Sequence, residues 1–160
     1  MDQAVVFGKY NHLVGIETIT VNSSIAMIML TPGMLHNAGP FRLHVDLANS
    51  LKQQGISAFR FDLSGIGESL GVGSAGKSID RAASETIQAM DYLMETHGIQ
   101  EFLLFGLCSG ADDSIQTALL DDRVKGVIAL DGVAYKTAKF QLKEAQLIAR
   151  KAMSLSLIHI

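Results

Sequence analysis

The sequence predicts an α/β protein, a mostly parallel, doubly wound sheet with helices on both faces. Four short, nearly continuous apolar segments recur along the chain, at residues 25–30, 56–61, 102–107 and 124–130. Apolar runs of this length without polar alternation are typical of parallel strands that are buried on both faces. Segments with helical spacing separate these runs, and an alternating order of strands and helices favours right-handed crossovers between parallel strands.

Three helices are expected between these strands. Pro40 and Gly55 bound the first helix, whereas Ser78 is a candidate N-cap and Gly98 a candidate end of the second. Residues 13–20 are expected to form an extra strand in a leading hairpin. The helical faces carry apolar residues at helical spacing: Phe41, Val45, Ala48 and Leu51 in the first, Ile79, Ala83, Ile87, Met90 and Met94 in the second, and Ile115, Ala118 and Leu119 in the third.

Length and composition narrow the class of protein. A chain of 160 residues with 48% apolar residues supports one domain, and a net charge of −3 gives no basic field for nucleic acid. No stretch of about 18 consecutive apolar residues is present, so no membrane span is expected. The single cysteine, Cys108, is typical of a reducing compartment. We therefore expect a soluble, cytoplasmic protein.

Residues 106–110, Gly-Leu-Cys-Ser-Gly, have the form G-x-nucleophile-x-G between a predicted strand and a predicted helix. On such a tight turn the residues two before and two after the nucleophile come close together, so both must be small. Cys108 meets this requirement because Gly106 and Gly110 flank it. The N-terminus of the following helix favours a thiolate and offers N–H groups, first that of Ser109, to an oxyanion. The alternative is a buried, inert cysteine beside a glycine-rich turn.

A second motif competes for the function. Residues 71–78, Gly-Val-Gly-Ser-Ala-Gly-Lys-Ser, match the phosphate-binding pattern G-x-x-x-x-G-K-[ST], in which Gly71, Gly76, Lys77 and Ser78 would hold a nucleotide. A phosphate loop leaves its strand at the first glycine, whereas the preceding strand is expected to end at Phe61. We therefore favour a surface loop that leads to a helix, and nucleotide binding stays the alternative.

Three segments together resemble the α/β-hydrolase superfamily, in particular its serine-aminopeptidase-like and small-esterase branches. Residues 31–35, Thr-Pro-Gly-Met-Leu, occupy the place of the family's oxyanion loop. Residues 59–69 look like its R-x-D-x-x-G-x-G-x-S loop, and residues 106–110 look like its nucleophile elbow. The resemblance covers roughly residues 10–135. It implies hydrolysis of an ester, thioester or related acyl bond.

The resemblance also implies roles for individual residues. Cys108 would be the nucleophile, and the backbone N–H of Ser109, with that of Met34 or Leu35, would form the oxyanion hole. It implies a small-molecule acyl substrate; we expect no metal and no cofactor, and the net charge gives no reason to expect nucleic acid. The pocket rim would contain five further residues: Gly33, His36, Asp62, Ser64 and Gly65.

Two departures from the family pattern affect the expected activity. Most members have serine at the position of Cys108, and the family order places an acid and then a histidine after the nucleophile. Here His159 is the only histidine after Cys108, whereas His36 and His44 precede it. Asp131, at the end of a predicted strand, is a candidate acid or an ordinary strand-end residue. We therefore expect the N-terminal part of a hydrolase, with little or no turnover.

The C-terminal residues depart from the strand–helix pattern. Residues 1–134 are expected to form the hydrolase-like core, residues 135–153 to begin a cap helix, and residues 154–160 to be a non-native tail. The expected helix has a basic face, for which a solvated surface is favoured over a polyanion contact. A non-catalytic α/β domain is a further functional alternative, and the oligomeric state is left open.

Overall fold

In the part of the chain that the structure describes, six strands form a single sheet in the order β1-β2-β4-β3-β5-β6. The structure, a computed structural model, describes residues 2–72 and 78–132. The predicted cap helix at 135–153, the tail at 154–160 and His159 lie outside the described residues. The strands are β1 (Gln3–Phe7), β2 (Leu13–Thr18), β3 (Ile25–Leu30), β4 (Ser57–Phe61), β5 (Glu101–Leu107) and β6 (Val124–Leu130), and the helices are α1 (Leu43–Gln53), α2 (Ser78–His97) and α3 (Ser109–Leu120), with a 3-10 turn at Pro40–Arg42.

The predicted topology is confirmed. Strands β4, β3, β5 and β6 pair in parallel, whereas β1 and β2 form the expected antiparallel hairpin that joins the sheet through β4. The chain passes from β3 to β4 on one side and later returns to β5 on the other side of β3. The carboxyl ends of β3 and β5 are therefore neighbours, which is where open α/β sheets bind their ligands.

The central strand β3 divides the core between the two faces of the sheet. Ala26, Ile28 and Leu30 point into a cluster that α2 covers, whereas Met27 and Met29 point into a second cluster that α1 covers. This alternation follows from the two-residue period of a strand, since both faces of β3 meet a helix. The expected layering, with helices on both faces, is confirmed.

The expected first helix is wrong at its start. Pro40 begins a 3-10 turn, and the α-helix starts only at Leu43. Phe41 and Arg42 have positive φ angles of 51° and 65°, so the chain turns before the helix begins. Phe41 is consequently fully exposed and does not share the buried face of Ala48.

The outermost parallel strand and the helix before it are less buried than the sequence predicts. The expected apolar stripe of α3 ends at Leu119, which is 72% exposed, while the buried face carries small and polar residues such as Ala111 and Thr117. Ile128 and Leu130 of β6 are each 45% exposed. The reason is that β6 is an edge strand of the described sheet, whereas an apolar run predicts only a strand and not the presence of neighbours.

Candidate active site

Cys108 lies on a sharp turn between β5 and α3. Its backbone adopts φ 53° and ψ −120°, and its thiol is exposed, so the alternative of a buried cysteine is wrong. A Cβ atom at Gly106 would collide with the backbone carbonyl of Gly110. A Cβ atom at Gly110 would lie 2.5 Å from the carbonyl oxygen of Leu30. Both glycines are therefore required by close approach of the backbone, as the motif predicts.

One hydrogen bond joins the loop after β3 to this turn, and a second lies within the loop. The N–H of Gly33 donates to the Oγ of Ser109 at 2.7 Å, and the N–H of Leu35 donates to the carbonyl of Pro32 at 3.1 Å. Two of the N–H groups near the elbow are thus occupied. Within the part of the chain that the structure describes, the N–H groups of Met34 and Ser109 have no acceptor.

A cleft of about 580 Å³ opens beside the elbow. Of the residues expected near the pocket, Gly33, Met34, Ser64, Gly65 and Ser109 line this cleft. Leu35, His36 and Cys108 itself are exposed and are not among its lining residues, so the cleft lies next to the nucleophile position and does not include it. The structure therefore brings the loop after β3, the loop after β4 and the start of α3 to one place, at the carboxyl edge of the sheet.

Asp62 differs from its expected place at the pocket rim. It is fully buried and does not line the cleft; its carboxylate accepts hydrogen bonds from the backbone N–H of Asn37 at 2.6 Å and from Asn37 Nδ2 at 2.9 Å. The N–H of Glu68 donates to the same carboxylate at 3.2 Å. Asn37 is a buried residue that the motif analysis missed, since a single Asn in a loop gives no distinguishing signal.

Two buried acidic residues, Asp113 in the cleft wall and Glu85 hydrogen bonded to Ser64, were also not predicted. Asp113, on α3, is only 9% exposed, and burial together with the charge of Asp112 raises its pKa to about 6. Glu85, on α2, accepts hydrogen bonds from the backbone N–H of Ser64 at 2.9 Å and from the Ser64 hydroxyl. Neither acid interrupts the apolar spacing of its helix, so the sequence pattern does not reveal that it is buried.

The candidate histidines do not serve Cys108 in the described structure. His36 accepts a hydrogen bond from the N–H of Ala38 at 3.3 Å through Nδ1. His44 is fully buried, and burial lowers its pKa. Its ring packs edge-to-face on Phe105, with the centroids 5.7 Å apart. His44 is therefore a core residue.

Of the residues of the phosphate-binding pattern, Ser78 lines the same cleft as Ser109, whereas Gly71 does not. Gly71 and Ser78 are exposed, and β4 ends at Phe61 as predicted, well before Gly71. Gly76 and Lys77 lie outside the described residues. Among residues 2–72 and 78–132, no group of His, Cys, Asp or Glu side chains is arranged to hold a metal ion. None of the helices in those ranges combines the length and the apolar character that crossing a membrane requires.

A nucleophile-like residue on a glycine-flanked elbow, at the carboxyl edge of a mostly parallel sheet, defines the class of α/β hydrolases. The family described as serine aminopeptidase, S33, matches residues 22–158. The chain belongs to this family, and the family resemblance inferred from its motifs is confirmed.

Solved structures share the same fold at low sequence identity. The α/β hydrolase GrgF from a Penicillium species has a TM-score of 0.68 and 19% identity, and the match covers 100% of this chain and 55% of GrgF. An esterase from Pyrococcus furiosus has a TM-score of 0.69 and 17% identity, covering 84% of this chain and 50% of the esterase. Est1E from Butyrivibrio proteoclasticus, solved with ferulic acid bound, has a TM-score of 0.63 and 18% identity, covering 75% and 49%.

The chain spans about half the length of these solved structures. No curated protein is significantly similar to it in sequence.

Proposed function

We propose that this protein acts on an ester, thioester or related acyl bond, with Cys108 as the nucleophile. The single observation that carries the proposal is the backbone of Cys108, which has a φ angle of 53°. The elbow around it leaves no room for a Cβ atom at Gly106 or Gly110, because backbone atoms lie too close. A non-glycine residue with positive φ is costly and clusters at active sites, where surrounding structure maintains it. The exposed thiol is consistent with this role.

The proposed reaction begins when the Cys108 thiolate attacks the carbonyl carbon of the substrate. The π electron pair moves to the carbonyl oxygen, and the N–H groups of Ser109 and Met34 donate hydrogen bonds to the resulting oxyanion. Collapse of this intermediate breaks the bond to the leaving group, which departs with the electron pair and is protonated by solvent. An acyl group then remains on Cys108 as a thioester.

We further propose that the chain is acylated but turns over slowly. Hydrolysis of the thioester needs a base that activates water, and among the described residues no histidine is hydrogen bonded to Cys108. We accordingly propose that full turnover requires a base that can activate water near Cys108. The esterase from Pyrococcus furiosus and the ferulic acid in Est1E support esters of carboxylic acids as the substrate class. A cytoplasmic location is part of the proposal, since a lone thiol nucleophile must stay reduced.

The test is a single-turnover reaction with p-nitrophenyl acetate. We expect one equivalent of p-nitrophenolate in an initial burst and one acetyl group on Cys108 by intact-mass and peptide analysis. Cys108→Ala should lose both signals, whereas Ser84→Ala, at an exposed position of α2, should keep them. A burst that survives Cys108→Ala would overturn the assignment, as would a thiol that iodoacetamide alkylates and the ester never acylates.

Nucleotide binding is the second candidate, favoured by the match of residues 71–78 to the phosphate-binding pattern. Calorimetric titration with ATP and Mg²⁺ separates the two functions. We expect no saturable heat for the wild type. Saturable binding that disappears in Lys77→Ala would show that residues 71–78 bind a nucleotide, and nucleotide binding would then replace hydrolysis as the proposed function.

A further inference from the structure

We propose that Asp62 is a positioning residue for the oxyanion loop, a name used from here on for residues 31–39, which extend the family-like residues 31–35. Asp62 would hold this loop in the geometry that presents the Met34 N–H to the substrate. This inference rests on the proposed function of Cys108 and extends it to a buried group that does not touch the substrate. It is carried by the contacts of Asp62 and by the exposure of the loop that those contacts hold.

The main chain of Asp62 is fixed by the sheet. Its N–H donates to the carbonyl of Val14 at 3.0 Å, and its own carbonyl accepts the hydroxyl of Ser69 at 2.6 Å. The side chain therefore starts from a rigid position directly after β4. Its two carboxylate oxygens are left to bind groups from the loops above the sheet.

Asp62 binds the far end of the oxyanion loop. One carboxylate oxygen accepts the backbone N–H of Asn37 at 2.6 Å, and the other accepts Asn37 Nδ2 at 2.9 Å. The near end of the loop is bound at the elbow, where the Gly33 N–H donates to Ser109 Oγ at 2.7 Å. Met34 lies between these two attachments. Its N–H is thus positioned by a bond to the elbow on one side and by Asp62 on the other.

Apolar packing does little to hold the centre of this loop. The side chains of Met34 and Leu35 are 82% and 47% exposed. A loop without buried apolar side chains depends on its hydrogen bonds for a defined conformation. Hydrogen bonds to a carboxylate are stronger than neutral ones because the acceptor is charged, and burial strengthens them further because water does not compete for it.

The surroundings allow only one orientation of the Asn37 amide. Arg60, which is 7% exposed, donates to Asn37 Oδ1 at 2.9 Å, so Nδ2 must face Asp62. The second guanidinium nitrogen of Arg60 is bound to Asp2 at 2.8 Å. A Cβ atom at Gly67 would collide with the Asp62 carboxylate, and the glycine therefore leaves room for it. The chain thus supplies both the partner and the space for this carboxylate.

Two reactions of the same thiol distinguish positioning from general stability. Acylation of Cys108 by p-nitrophenyl acetate passes through an oxyanion, and the aryloxide leaves with the electron pair of the broken C–O bond. Alkylation by iodoacetamide forms an S–C bond while iodide leaves, and no oxyanion develops. The ratio of the two rate constants therefore reports on the oxyanion hole and cancels changes in thiol reactivity and exposure.

We expect Asp62→Asn to lower the acylation rate constant roughly 10- to 100-fold while alkylation changes less than about twofold, since loss of an oxyanion donor costs about 10²–10³-fold. Gly67→Ala, which displaces the same carboxylate, should lower the ratio in the same direction. The matched control is Glu17→Gln. Glu17 is a buried carboxylate bound by Tyr92 and His97, and it lies near the end of β2, whereas Asp62 binds Val14 near the start of that strand. Its ratio should stay at the wild-type value.

An unchanged ratio in folded Asp62→Asn and Gly67→Ala, or an equal loss in Glu17→Gln, would overturn the proposal. If wild-type Cys108 is alkylated and never acylated, the proposed function fails, and hydrogen exchange then tests the positioning role alone. In that experiment the Asn37 amide should exchange at least about tenfold faster in Gly67→Ala than in the wild type. Equal protection of that amide would show that Asp62 does not hold the loop.

Discussion

Two loops meet near Cys108, and different forces hold them. The elbow at Gly106 and Gly110 is fixed by backbone against backbone, since a Cβ atom at either glycine would meet main-chain atoms. The oxyanion loop, residues 31–39, is exposed at its centre and is held by hydrogen bonds to Ser109 and Asp62. A substitution that forces atoms into steric overlap is costly because the repulsion between them rises steeply with decreasing distance. A loop held by several hydrogen bonds can lose one of them and keep the others. Substitutions in the elbow should therefore cost more than substitutions in the loop.

The largest effect is expected for Gly110→Ala. Its new methyl group would lie 2.5 Å from the Leu30 carbonyl oxygen and 3.0 Å from that of Thr31, and neither can rotate away as a side chain could. We expect a loss of about 3 kcal/mol or more in the free energy of unfolding, measured by urea denaturation followed by circular dichroism. The control is Gly71→Ala, where the nearest heavy atom is 3.8 Å away. Equal losses in the two variants would contradict the steric account.

The difference between the two loops also explains what the sequence could predict. The geometry of the elbow can be predicted from the spacing of Gly106, Cys108 and Gly110. Only small residues fit at the positions two before and two after the nucleophile. The bond between Asp62 and Asn37 joins residues on separate loops, and no local pattern records such a pair. The motif that contains Asp62 therefore identifies the loop and gives a wrong place for the carboxylate, which is buried.

The same limit applies to the outer part of the fold. Strand boundaries from apolar runs agree with β3 and β6 because burial of one segment is a local property of the sequence. The turn at Phe41 was not predicted, and the apolar run of β6 does not by itself indicate how far Ile128 is exposed. They depend on which neighbours a strand has and on backbone angles, neither of which periodicity encodes.

Asp113, a buried carboxyl on the elbow side, differs from Asp62 in its hydrogen bonding. Asp62 has three hydrogen-bond donors, whereas Asp113, on α3, has none for its side chain among the described residues. Burial and Asp112 raise the pKa of Asp113 to about 6, so the folded state holds a proton that the unfolded state releases near pH 3.9. Its contribution to stability is therefore complete below about pH 3.9 and is lost as the pH rises through 6.

Asp113→Asn should accordingly stabilise the protein at pH 8 by up to about 3 kcal/mol. This gain should shrink as the pH falls through 6 and vanish near pH 4, because the wild-type carboxyl is then neutral in both states. Urea denaturation at pH 4, 6 and 8 measures the difference. Asp122→Asn, at an exposed position, should show little change at any of these pH values. A gain at pH 4 as large as that at pH 8 would exclude the charge as its cause.

A smaller loss of stability is expected when the Asn37 side chain, which donates a hydrogen bond to Asp62, is removed. Asn37→Ala deletes the amide between Asp62 and Arg60, so a buried acceptor and a buried donor each lose a partner. We expect about 2 kcal/mol less stability, because unsatisfied buried polar groups cost about 1–3 kcal/mol. Asn49→Ala, on the exposed side of α1, is the control for loss of an amide side chain. If the two variants had equal free energies of unfolding, the hydrogen bonds of Asn37 would not be the main support of the loop.

The smallest loss should come from Gly33→Ala, within the loop itself. Gly33 has φ +57°, but no heavy atom lies within 4 Å of a Cβ atom placed there. The cost is therefore conformational, about 1 kcal/mol, and the N–H that donates to Ser109 is retained. Gly55→Ala, with φ +78° and equally open surroundings, should lose a similar amount in urea denaturation. A loss as large as that of Gly110→Ala would mean that the loop is sterically confined, and the contrast between the two loops would fail.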